Sequence, residues 1–317
     1  DTDRVRSTDE AIETLMDVMR WMKLDIDEDP LYQTSQRAVH DTAAEKLLAE
    51  GNAYRFAKGD GGEATLFRIP FHCDALPFVR DAGPVEISVH PDVPVEIDHT
   101  GIRFAMVSKK GKPVPTDACL AGFQHLTIHT EAGSDPVWHF DDPDAILSGD
   151  ETVSIPGATL LKFRRREVFY QDEVKGEIAK PLDSMKDQVI VRSDGNPVFH
   201  LANVCDDVTQ GITHIIRGDD HVENTFRHIF LFSALGAEPP KYAHLPMIVN
   251  AQGKPYSKRD GDAFVHDFRE KGVLSHALTN YLALLGWSPG DDREKLTSAE
   301  LVEAFSLDRV RSAPSQM

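Results

Sequence analysis

The amino-acid sequence predicts an α/β protein that contains a parallel sheet and a β-rich insertion. The stretch "ITHIIRGDDHVENTFRHIFLFSALG" predicts a strand, an acidic turn and an amphipathic helix, and "HLPMIVN" predicts a further strand. Strands that alternate with helices in this order favour a parallel sheet. Between about residues 58 and 169, by contrast, short alternations of apolar and polar residues predict small antiparallel strands.

Two amphipathic helices are predicted at the start of the chain. The first, "STDEAIETLMDVMRWMKL", begins with the N-cap candidates Ser7 and Thr8. Its apolar residues recur at helical spacing: Ile12, Leu15, Met16, Met19 and Met22. The second, "SQRAVHDTAAEKLLAEG", stops at Gly51, since glycine commonly ends helices. We expect these two helices to pack against each other.

The β-rich region follows, and "VEISVH", "IRFAMVS" and "HLTIH" are among its predicted strands. Cys73, Cys119, His125 and His129 belong to this region and are residue types that bind zinc. The sequence has no Cys-x-x-Cys pair, and we therefore expect no structural zinc. The three cysteines of the chain are widely spaced and odd in number, which argues against a disulfide framework.

Two charged loops follow predicted strands and are candidate ligand-binding segments. Because ligands bind beyond the carboxyl ends of parallel strands, we expect "RGDDH" and "GKPYSKRDG" to reach one crevice. The second loop gathers Lys254, Lys258 and Arg259 around Ser257, which favours a polyphosphate ligand. It is not a P-loop, because Pro255 follows Lys254 where that motif requires Ser or Thr. A solvated surface turn is the alternative interpretation of this stretch.

The charge balance bears on the partners of the protein. A formal net charge of -18 over 317 residues argues against a nucleic-acid partner. Basic residues nevertheless cluster, as in "KFRRR", and local patches matter more than net charge for contact with a polyanion. RNA therefore stays among the candidate partners. The sequence contains neither an apolar run of bilayer length nor a secretion signal at its start, and we expect a cytoplasmic protein without membrane contact.

Six segments together resemble one protein family. They are "DTDRVRS", "SDGNPVFHLANVCDD", "GITHIIRGDDHVENTFRHIFLFSALG", "AHLPMIV", "GKPYSKRDG" and "ALTNYLALLGWS". Their order and spacing are similar to those of the bacterial-type glutamyl-tRNA synthetases, which are class I aminoacyl-tRNA synthetases. The resemblance covers about residues 1–56 and 160–317.

The resemblance also implies a domain organisation. Residues 1–56 and 191–250 would form a Rossmann-type catalytic domain whose first strand–helix unit, with its histidine-containing ATP signature, is missing from this chain. Residues 57–190 would form an inserted connective, acceptor-binding domain with an unusual β-rich insertion at about 71–160. Residues 251–317 would carry the lysine signature loop and a helical stem-contact region, truncated before any anticodon-binding domain. We therefore expect that this chain alone does not complete the reaction.

The activity that the resemblance implies is that of a glutamate–tRNA ligase: ATP-dependent activation of L-glutamate to glutamyl-adenylate, then transfer to the 3′ end of tRNA-Glu. "KPYSK" resembles the lysine signature loop, so Lys254, Ser257 and Lys258 are the expected catalytic residues. These residues, Arg259 and Asp220 are also the expected ATP-binding residues, with ATP bound together with Mg²⁺. We expect a monomer that binds tRNA-Glu, L-glutamate and ATP.

The glutamate-binding residues implied by the resemblance are Arg217, Asn203 and Phe199. An arginine at a strand end can bind both oxygens of a carboxylate, and an amide can donate or accept a hydrogen bond. Phe199 is a departure, because a tyrosine commonly occupies this position in the family. The alternatives are an ion pair of Arg217 with Asp219 or Asp220 and a turn-stabilising role for Asn203.

The tRNA acceptor end is expected to contact Asp3, Arg164, Arg165 and Arg166. The arginines lie in "KFRRREVFYQDEVKGEI", which combines cations with aromatic residues that can stack on an unpaired base. An amphipathic edge strand is the alternative interpretation of this segment. For the protein as a whole, the alternatives are a glutaminyl-tRNA synthetase, a glutamyl-queuosine tRNA-Asp synthetase and a non-catalytic paralogue that binds tRNA.

Overall fold

The computed structural model describes residues 7–57, 61–131, 133–140, 143–149, 151–257 and 264–316. The chain folds into two compact units. Unit 1 comprises Asp1–Glu45, Gln171–Glu177 and Gly195–Met317, and unit 2 comprises Lys46–Tyr170 and Ile178–Asp194. The domain bounds that the family resemblance implies stay a prediction.

The described helices and strands have the following bounds. The helices are α1 (Asp9–Met22), α2 (Arg37–Ala49), α3 (Asp144–Leu147), α4 (Phe199–Gln210), α5 (Val222–Leu235), α6 (Val265–Glu270), α7 (Ser275–Leu284) and α8 (Ser298–Ala304). The strands are β1 (Ala53–Ala57), β2 (Glu63–Phe67), β3 (Val79–Ser88), β4 (Val95–Asp98), β5 (Gly101–Val107), β6 (Pro113–Ala118), β7 (Phe123–His129), β8 (Trp138–His139), β9 (Val153–Ile155), β10 (Leu160–Asp172), β11 (Gly176–Pro181), β12 (Gln188–Val191), β13 (His214–Gly218), β14 (Lys241–Leu245), β15 (Ile248–Val249) and β16 (Ser315–Gln316). None of the helices in the described ranges has the length and apolar character that a membrane span requires.

Helix α1 begins where the sequence predicts. The Thr8 hydroxyl accepts a hydrogen bond from the Ala11 backbone N–H at 3.2 Å, which satisfies one donor of the first turn. At the other end Lys23, with a φ of 56°, takes the left-handed conformation and donates its N–H to carbonyls of the last turn. The predicted N-cap at Thr8 is therefore confirmed.

Parallel strands β13 and β14 form the part of unit 1 that carries the candidate site. Arg217 on β13 pairs with His244 on β14, and Asp172, the last residue of β10, pairs with Tyr242. Helix α5 connects β13 to β14, so the predicted strand–helix–strand order and the α/β fold class are confirmed. Because the two strands are parallel, their carboxyl ends lie at the same edge.

The apolar segment after the Ser-Asp-Gly-Asn turn forms helix α4. Its buried residues include Leu201, Ala202, Val204 and Cys205, which share one helical face. The helix ends at Gly211, whose φ of 65° is the left-handed conformation that favours glycine. The helix therefore has an apolar face toward the core and a polar face toward the candidate site.

Unit 2 is antiparallel, as its alternating sequence predicts. Strands β1, β2 and β12 form one sheet, and β6, β5, β4 and β9 form another in that order. Strand β10 pairs with β3 and with β7. The buried apolar core of the β-rich region includes Val95, Ile97, Ile102, Phe123, Ile128 and Leu161.

The residues considered for zinc have other environments. His125 takes a φ of 52° where the pairing of β7 with β10 shifts register, and His129 Nδ1 lies 2.9 Å from the Ser134 carbonyl oxygen. Cys73 and Cys119 are buried, and burial raises the pKa of both thiols. Within the described ranges, no group of three His, Cys, Asp or Glu residues is arranged to hold a metal ion.

Candidate functional site

Arg217, near the carboxyl end of β13, is held by hydrogen bonds on one side of its guanidinium. Its Nε donates to His244 Nε2 at 3.2 Å, and its Nη2 donates to the Thr225 hydroxyl at 2.6 Å and to the His221 carbonyl at 3.2 Å. The guanidinium carbon also lies 5.4 Å from the centre of the Tyr242 ring. These contacts fix a cation at the sheet edge where α/β proteins bind ligands.

His244 is in turn held by a buried carboxylate. Its Nδ1 lies 2.6 Å from Asp172 Oδ2, and both side chains are fully inaccessible to solvent. Asp172 Oδ1 accepts hydrogen bonds from the backbone N–H groups of Val174, Lys175 and His244. Burial opposes ionisation of Asp172, but the hydrogen bonds from the His244 ring and the backbone outweigh it and hold its pKa below the usual value. Asp172 is therefore a buried anion.

Helix α4 contributes Asn203 to the same cluster. Asn203 Nδ2 donates to Asp207 Oδ2 at 2.8 Å, one helical turn further along. Burial, together with the charge of Asp206, raises the pKa of Asp207 to about 6, while the positive charge of Arg217 opposes the change. Asp207 therefore links Asn203 to Arg217 electrostatically. Since Asn203 lies inside a helix, the alternative that it stabilises a turn is wrong.

Phe199, the first residue of α4, lies among histidine rings and is 38% exposed. Its ring centre is 6.0 Å from that of His228 and 6.3 Å from that of His221. His200 Nδ1 and His228 Nε2 are 3.0 Å apart, so one ring donates and the other accepts. Burial, helped by nearby cationic residues, lowers the pKa of both His200 and His228. This pair is therefore uncharged at neutral pH.

The acidic turn after β13 has basic partners of its own. Asp219 Oδ2 lies 3.0 Å from Lys175 Nζ, and Asp220 Oδ2 lies 3.7 Å from His221 Nε2. The Asp220 side chain is 60% exposed, which leaves it accessible to a ligand. The hydrogen bonds described for Arg217 go to His244, Thr225 and the His221 carbonyl, whereas the alternative interpretation was an ion pair with this acidic turn.

Asn250 organises the lysine loop, which carries the exposed residues Lys254 and Ser257. Its Oδ1 accepts hydrogen bonds from the backbone N–H groups of Gln252 and Lys254, both at 3.0 Å. Its backbone N–H also donates to the Lys254 carbonyl at 2.8 Å. Gly253 takes a φ of 72°, which favours glycine. The loop thus presents Lys254 on a defined turn.

Three of the predicted site residues, Lys258, Arg259 and Asp3, lie outside the described residues. Their predicted roles, and the expectation that the lysine loop and the acidic turn reach one crevice, stay predictions.

The three arginines of β10 lie in different environments within unit 2. Arg164 and Arg165 are partly exposed, and each is paired with an aspartate. Arg166 is 1% exposed, and its Nη1 donates to the Phe71 carbonyl at 2.6 Å and to Asp74 Oδ2 at 3.2 Å. A register shift between Arg165 and Arg166 accompanies this inward orientation. The burial of its guanidinium inside unit 2 argues against a contact of Arg166 with tRNA, and that contact stays a prediction.

Between Lys162 and Arg165 this segment is not an edge strand, contrary to the alternative interpretation. Strand β10 pairs with β3 on one side and with β7 on the other. An edge strand would have a partner on one side only.

Four residues that shape the site were not predicted from the sequence: Asp172, His244, Thr225 and Asn250. Asp172 and His244 are 72 positions apart, so only the fold brings them together. For His244 the sequence contained one signal, a polar residue inside the apolar strand segment "YAHL", because a buried polar side chain requires a partner. For Asn250 the signal was an asparagine shortly before the glycine of a loop.

Comparisons with known proteins identify the relatives of this chain. A family model for the catalytic domain of "tRNA synthetases class I (E and Q)" matches residues 1–60 and 161–317. A glutamate–tRNA ligase of Legionella pneumophila is 36% identical over 310 residues, which cover 98% of this chain and 53% of that protein. A glutamate–tRNA ligase of Xanthomonas oryzae is 36% identical over 317 residues, which cover 100% of this chain and 55% of that protein. The chain thus spans about half the length of the curated relatives it matches.

A solved structure shows a similar fold. It is the crystal structure of a glutamate tRNA ligase from Elizabethkingia meningosepticum in complex with its amino acid, with a TM-score of 0.62 and 22% identity. The alignment covers 100% of this chain and 59% of that one. The resemblance inferred from the six sequence segments is confirmed by the family model, which matches well over half of the chain. The chain therefore belongs to the class I tRNA synthetases for glutamate and glutamine, and residues 1–60 and 161–317 form part of their catalytic domain.

Proposed function

We propose that this chain forms the glutamate- and ATP-binding part of a glutamate–tRNA ligase. The observation that carries the proposal is Arg217, a cation fixed at the carboxyl edge of two parallel strands. A guanidinium at this position suits the side-chain carboxylate of glutamate, because arginine can bind both carboxylate oxygens. The similarity to proteins named glutamate–tRNA ligase supports this substrate over glutamine.

Asn203 and Phe199 are proposed to line the same pocket. Asn203 donates through Nδ2 to Asp207, which leaves its Oδ1 suited to accept from the ammonium group of an amino acid. The partly exposed ring of Phe199 offers an apolar surface for the aliphatic part of the substrate. Because Phe199 has no hydroxyl, this side of the pocket selects by shape alone.

The proposed first step joins glutamate to ATP. An oxygen of the glutamate α-carboxylate forms a bond to the α-phosphorus, and the bond from that phosphorus to the bridging oxygen breaks, so that pyrophosphate leaves. ATP, together with its Mg²⁺, is a substrate, and the protein contributes positioning and charge neutralisation. We assign the neutralisation of the triphosphate to Lys254, Lys258 and Arg259, the shape of the loop to Ser257, and a position beside the nucleotide to Asp220.

The proposed second step transfers the glutamyl group to the 3′ end of tRNA-Glu and releases AMP. Arg164, whose side chain is 48% exposed, and Arg165 are the proposed phosphate contacts in unit 2. Asp3 is proposed to lie near the same end of the tRNA. We propose that the protein works as a monomer in the cytoplasm, where tRNA is charged.

The experiment that tests the proposal is tRNA-dependent exchange of labelled pyrophosphate into ATP. It uses this chain, and in parallel the chain together with any coding sequence that flanks it in its gene, with glutamate, glutamine or aspartate as the amino acid. In the form that includes the flanking sequence, we expect exchange with glutamate but not with glutamine or aspartate, and loss of this exchange in Arg217→Gln. Arg293→Gln, which removes an exposed arginine of unit 1 that pairs with Asp291, is the matched control and should retain exchange.

The other outcomes distinguish the alternatives. Exchange with glutamine would indicate a glutaminyl-tRNA synthetase, and glutamate transfer to tRNA-Asp would indicate a queuosine-modifying enzyme. A protein that binds tRNA but supports no exchange in either form would be a non-catalytic paralogue.

A further inference from the structure

We propose that Asp172 and His244 are positioning residues, and that the tautomer of the His244 ring sets the direction of the Arg217 guanidinium. The observation is a continuous chain of hydrogen bonds from Asp172 through His244 to Arg217, with Thr225 as a second contact of the same guanidinium. The inference rests on the proposed function, because it assigns a role in glutamate binding to residues that do not touch the substrate.

The chain of hydrogen bonds begins at a rigid anchor. Asp172 Oδ1 faces three backbone N–H groups, those of Val174 and Lys175 at 3.0 Å and that of His244 at 3.3 Å. The other oxygen, Oδ2, faces only the His244 ring among the described contacts, at 2.6 Å. The carboxylate is thus fixed by the backbone, and its remaining oxygen acts on the histidine.

The chemistry of the partners fixes the tautomer. Arginine Nε–H can only donate, so His244 Nε2, at 3.2 Å from it, must accept. The ring proton therefore lies on Nδ1, where it is donated to Asp172. An imidazole with its proton on Nε2 would point one donor at another and displace the guanidinium.

Thr225 completes the arrangement. Its hydroxyl oxygen accepts from Arg217 Nη2 at 2.6 Å and lies 3.2 Å from His244 Nε2, and its side chain is fully buried. Three of the five N–H groups of the guanidinium are thus directed at His244, Thr225 and the His221 carbonyl. These bonds fix the plane of the guanidinium, and bidentate binding of a carboxylate depends on that plane.

The decisive variant is Asp172→Asn. The three backbone N–H groups require an oxygen at the position of Oδ1, so the new NH₂ group must take the position of Oδ2. This NH₂ group donates to His244 Nδ1, which forces the ring proton onto Nε2, opposite the Arg217 Nε–H. The same logic makes an aspartate-to-asparagine change select the wrong histidine tautomer in serine proteases.

The first readout is the tautomer itself, measured by ¹H–¹⁵N correlation NMR of the imidazole rings in this chain. We expect the proton on Nδ1 in the wild type and on Nε2 in Asp172→Asn, with the His244 signals assigned through their loss in His244→Gln. A wild-type ring protonated on Nε2 would overturn the proposal without any activity measurement.

The second readout is the kinetics of pyrophosphate exchange, with any flanking coding sequence included. In Asp172→Asn we expect the KM for glutamate to rise by about tenfold or more, while the KM for ATP changes by less than about twofold. The matched control is Asp98→Asn, because Asp98 forms an ion pair with Arg103 at 2.6 Å in unit 2 and has no described contact with the glutamate site. A general loss of stability would change the kinetics of the control variant as well, and it would not raise the KM for glutamate selectively.

Further variants keep the test informative if Asp172→Asn does not fold. His244→Gln retains an oxygen that can accept from Arg217, whereas His244→Phe fills the space without an acceptor. We expect the KM for glutamate to rise more in His244→Phe than in His244→Gln, and to rise about fivefold in Thr225→Val, which keeps the shape but removes the hydroxyl.

The outcomes separate this inference from the proposed function. A wild-type protein that supports no exchange with glutamate, even with its flanking coding sequence included, would overturn the proposed function. A wild-type protein that does, with an unchanged KM for glutamate in Asp172→Asn, His244→Phe and Thr225→Val, would overturn only the positioning role.

Discussion

Replacing Asp187 by asparagine should change how the stability of unit 2 depends on pH. Asp187 Oδ1 accepts a hydrogen bond from the Ile69 backbone N–H at 2.9 Å, and Oδ2 accepts one from the Tyr54 hydroxyl at 3.0 Å. Burial raises the pKa of this carboxyl to about 6, although the two hydrogen bonds and the charge of Arg68 oppose the change. The group therefore gains a proton more readily in the folded protein than in the unfolded chain.

The magnitude follows from the two pKa values. The ordinary value is 3.8 and the folded value is about 6, and a difference of about two corresponds to about 3 kcal/mol. Because the folded pKa is raised, this stability is fully present below the unfolded pKa and is lost as the pH rises through about 6. Asparagine does not titrate in this range. Relative to Asp187→Asn, the wild type should therefore lose about 2 kcal/mol of unfolding free energy between pH 4 and pH 7.

The assay is urea unfolding of the wild type and of Asp187→Asn from pH 4 to pH 7. Other titrating groups, such as Asp207, are present in both proteins, so their contribution cancels in the difference between the two unfolding free energies. Asp92→Asn, a change of an aspartate that is 86% exposed in unit 2, is the matched control and should show no such trend. Carboxyl ¹³C NMR measures the pKa of Asp187 directly. If that pKa lies near 4, or if the wild-type and Asp187→Asn stabilities run parallel from pH 4 to pH 7, the reasoning is refuted.

The remaining predictions concern the lysine loop, a tight glycine contact and the arginines of β10. Lys254→Ala should weaken transition-state stabilisation in pyrophosphate exchange by about 2 to 4 kcal/mol, and an unchanged kcat would remove this lysine from the mechanism. Gly122→Ala would place a methyl group 2.3 Å from the Asp183 backbone nitrogen, so thermal unfolding should show a loss of about 3 kcal/mol; an unchanged Tm would contradict this contact. Arg166→Met should lower stability but leave the tRNA affinity of the folded protein unchanged in filter binding, whereas Arg164→Gln should weaken it by up to about tenfold. Equal tRNA affinities in these two variants would argue against the proposed contact of Arg164.

Local rules explain which elements were predictable. The N-cap at Thr8, helix α5 and strand β13 follow from neighbouring residues, which act over less than two turns. The family resemblance rested on short segments in a fixed order, and a linear pattern of this kind is fully contained in the sequence. The sequence was therefore sufficient for the fold class, the parallel strands, the family and Arg217 as a candidate.

Long-range contacts decided the rest. Arg164, Arg165 and Arg166 look alike in the sequence, but the register shift within β10 and the position of Phe71 turn only Arg166 into the interior. Neither the register of a strand nor its partners can be read from one segment, because both depend on strands elsewhere in the chain.

The sequence by itself determined the family and the types of residue available for binding a carboxylate and a triphosphate. Only the tertiary structure decided how they are held: it joined Asp172 to His244 across 72 positions and placed Thr225 against the same guanidinium. The physical reason is that a hydrogen bond fixes a side chain only when donor and acceptor lie about 3 Å apart at a suitable angle. Residue type indicates that a group can donate or accept, whereas the packing of β10, β13, β14 and α5 determines which group it meets.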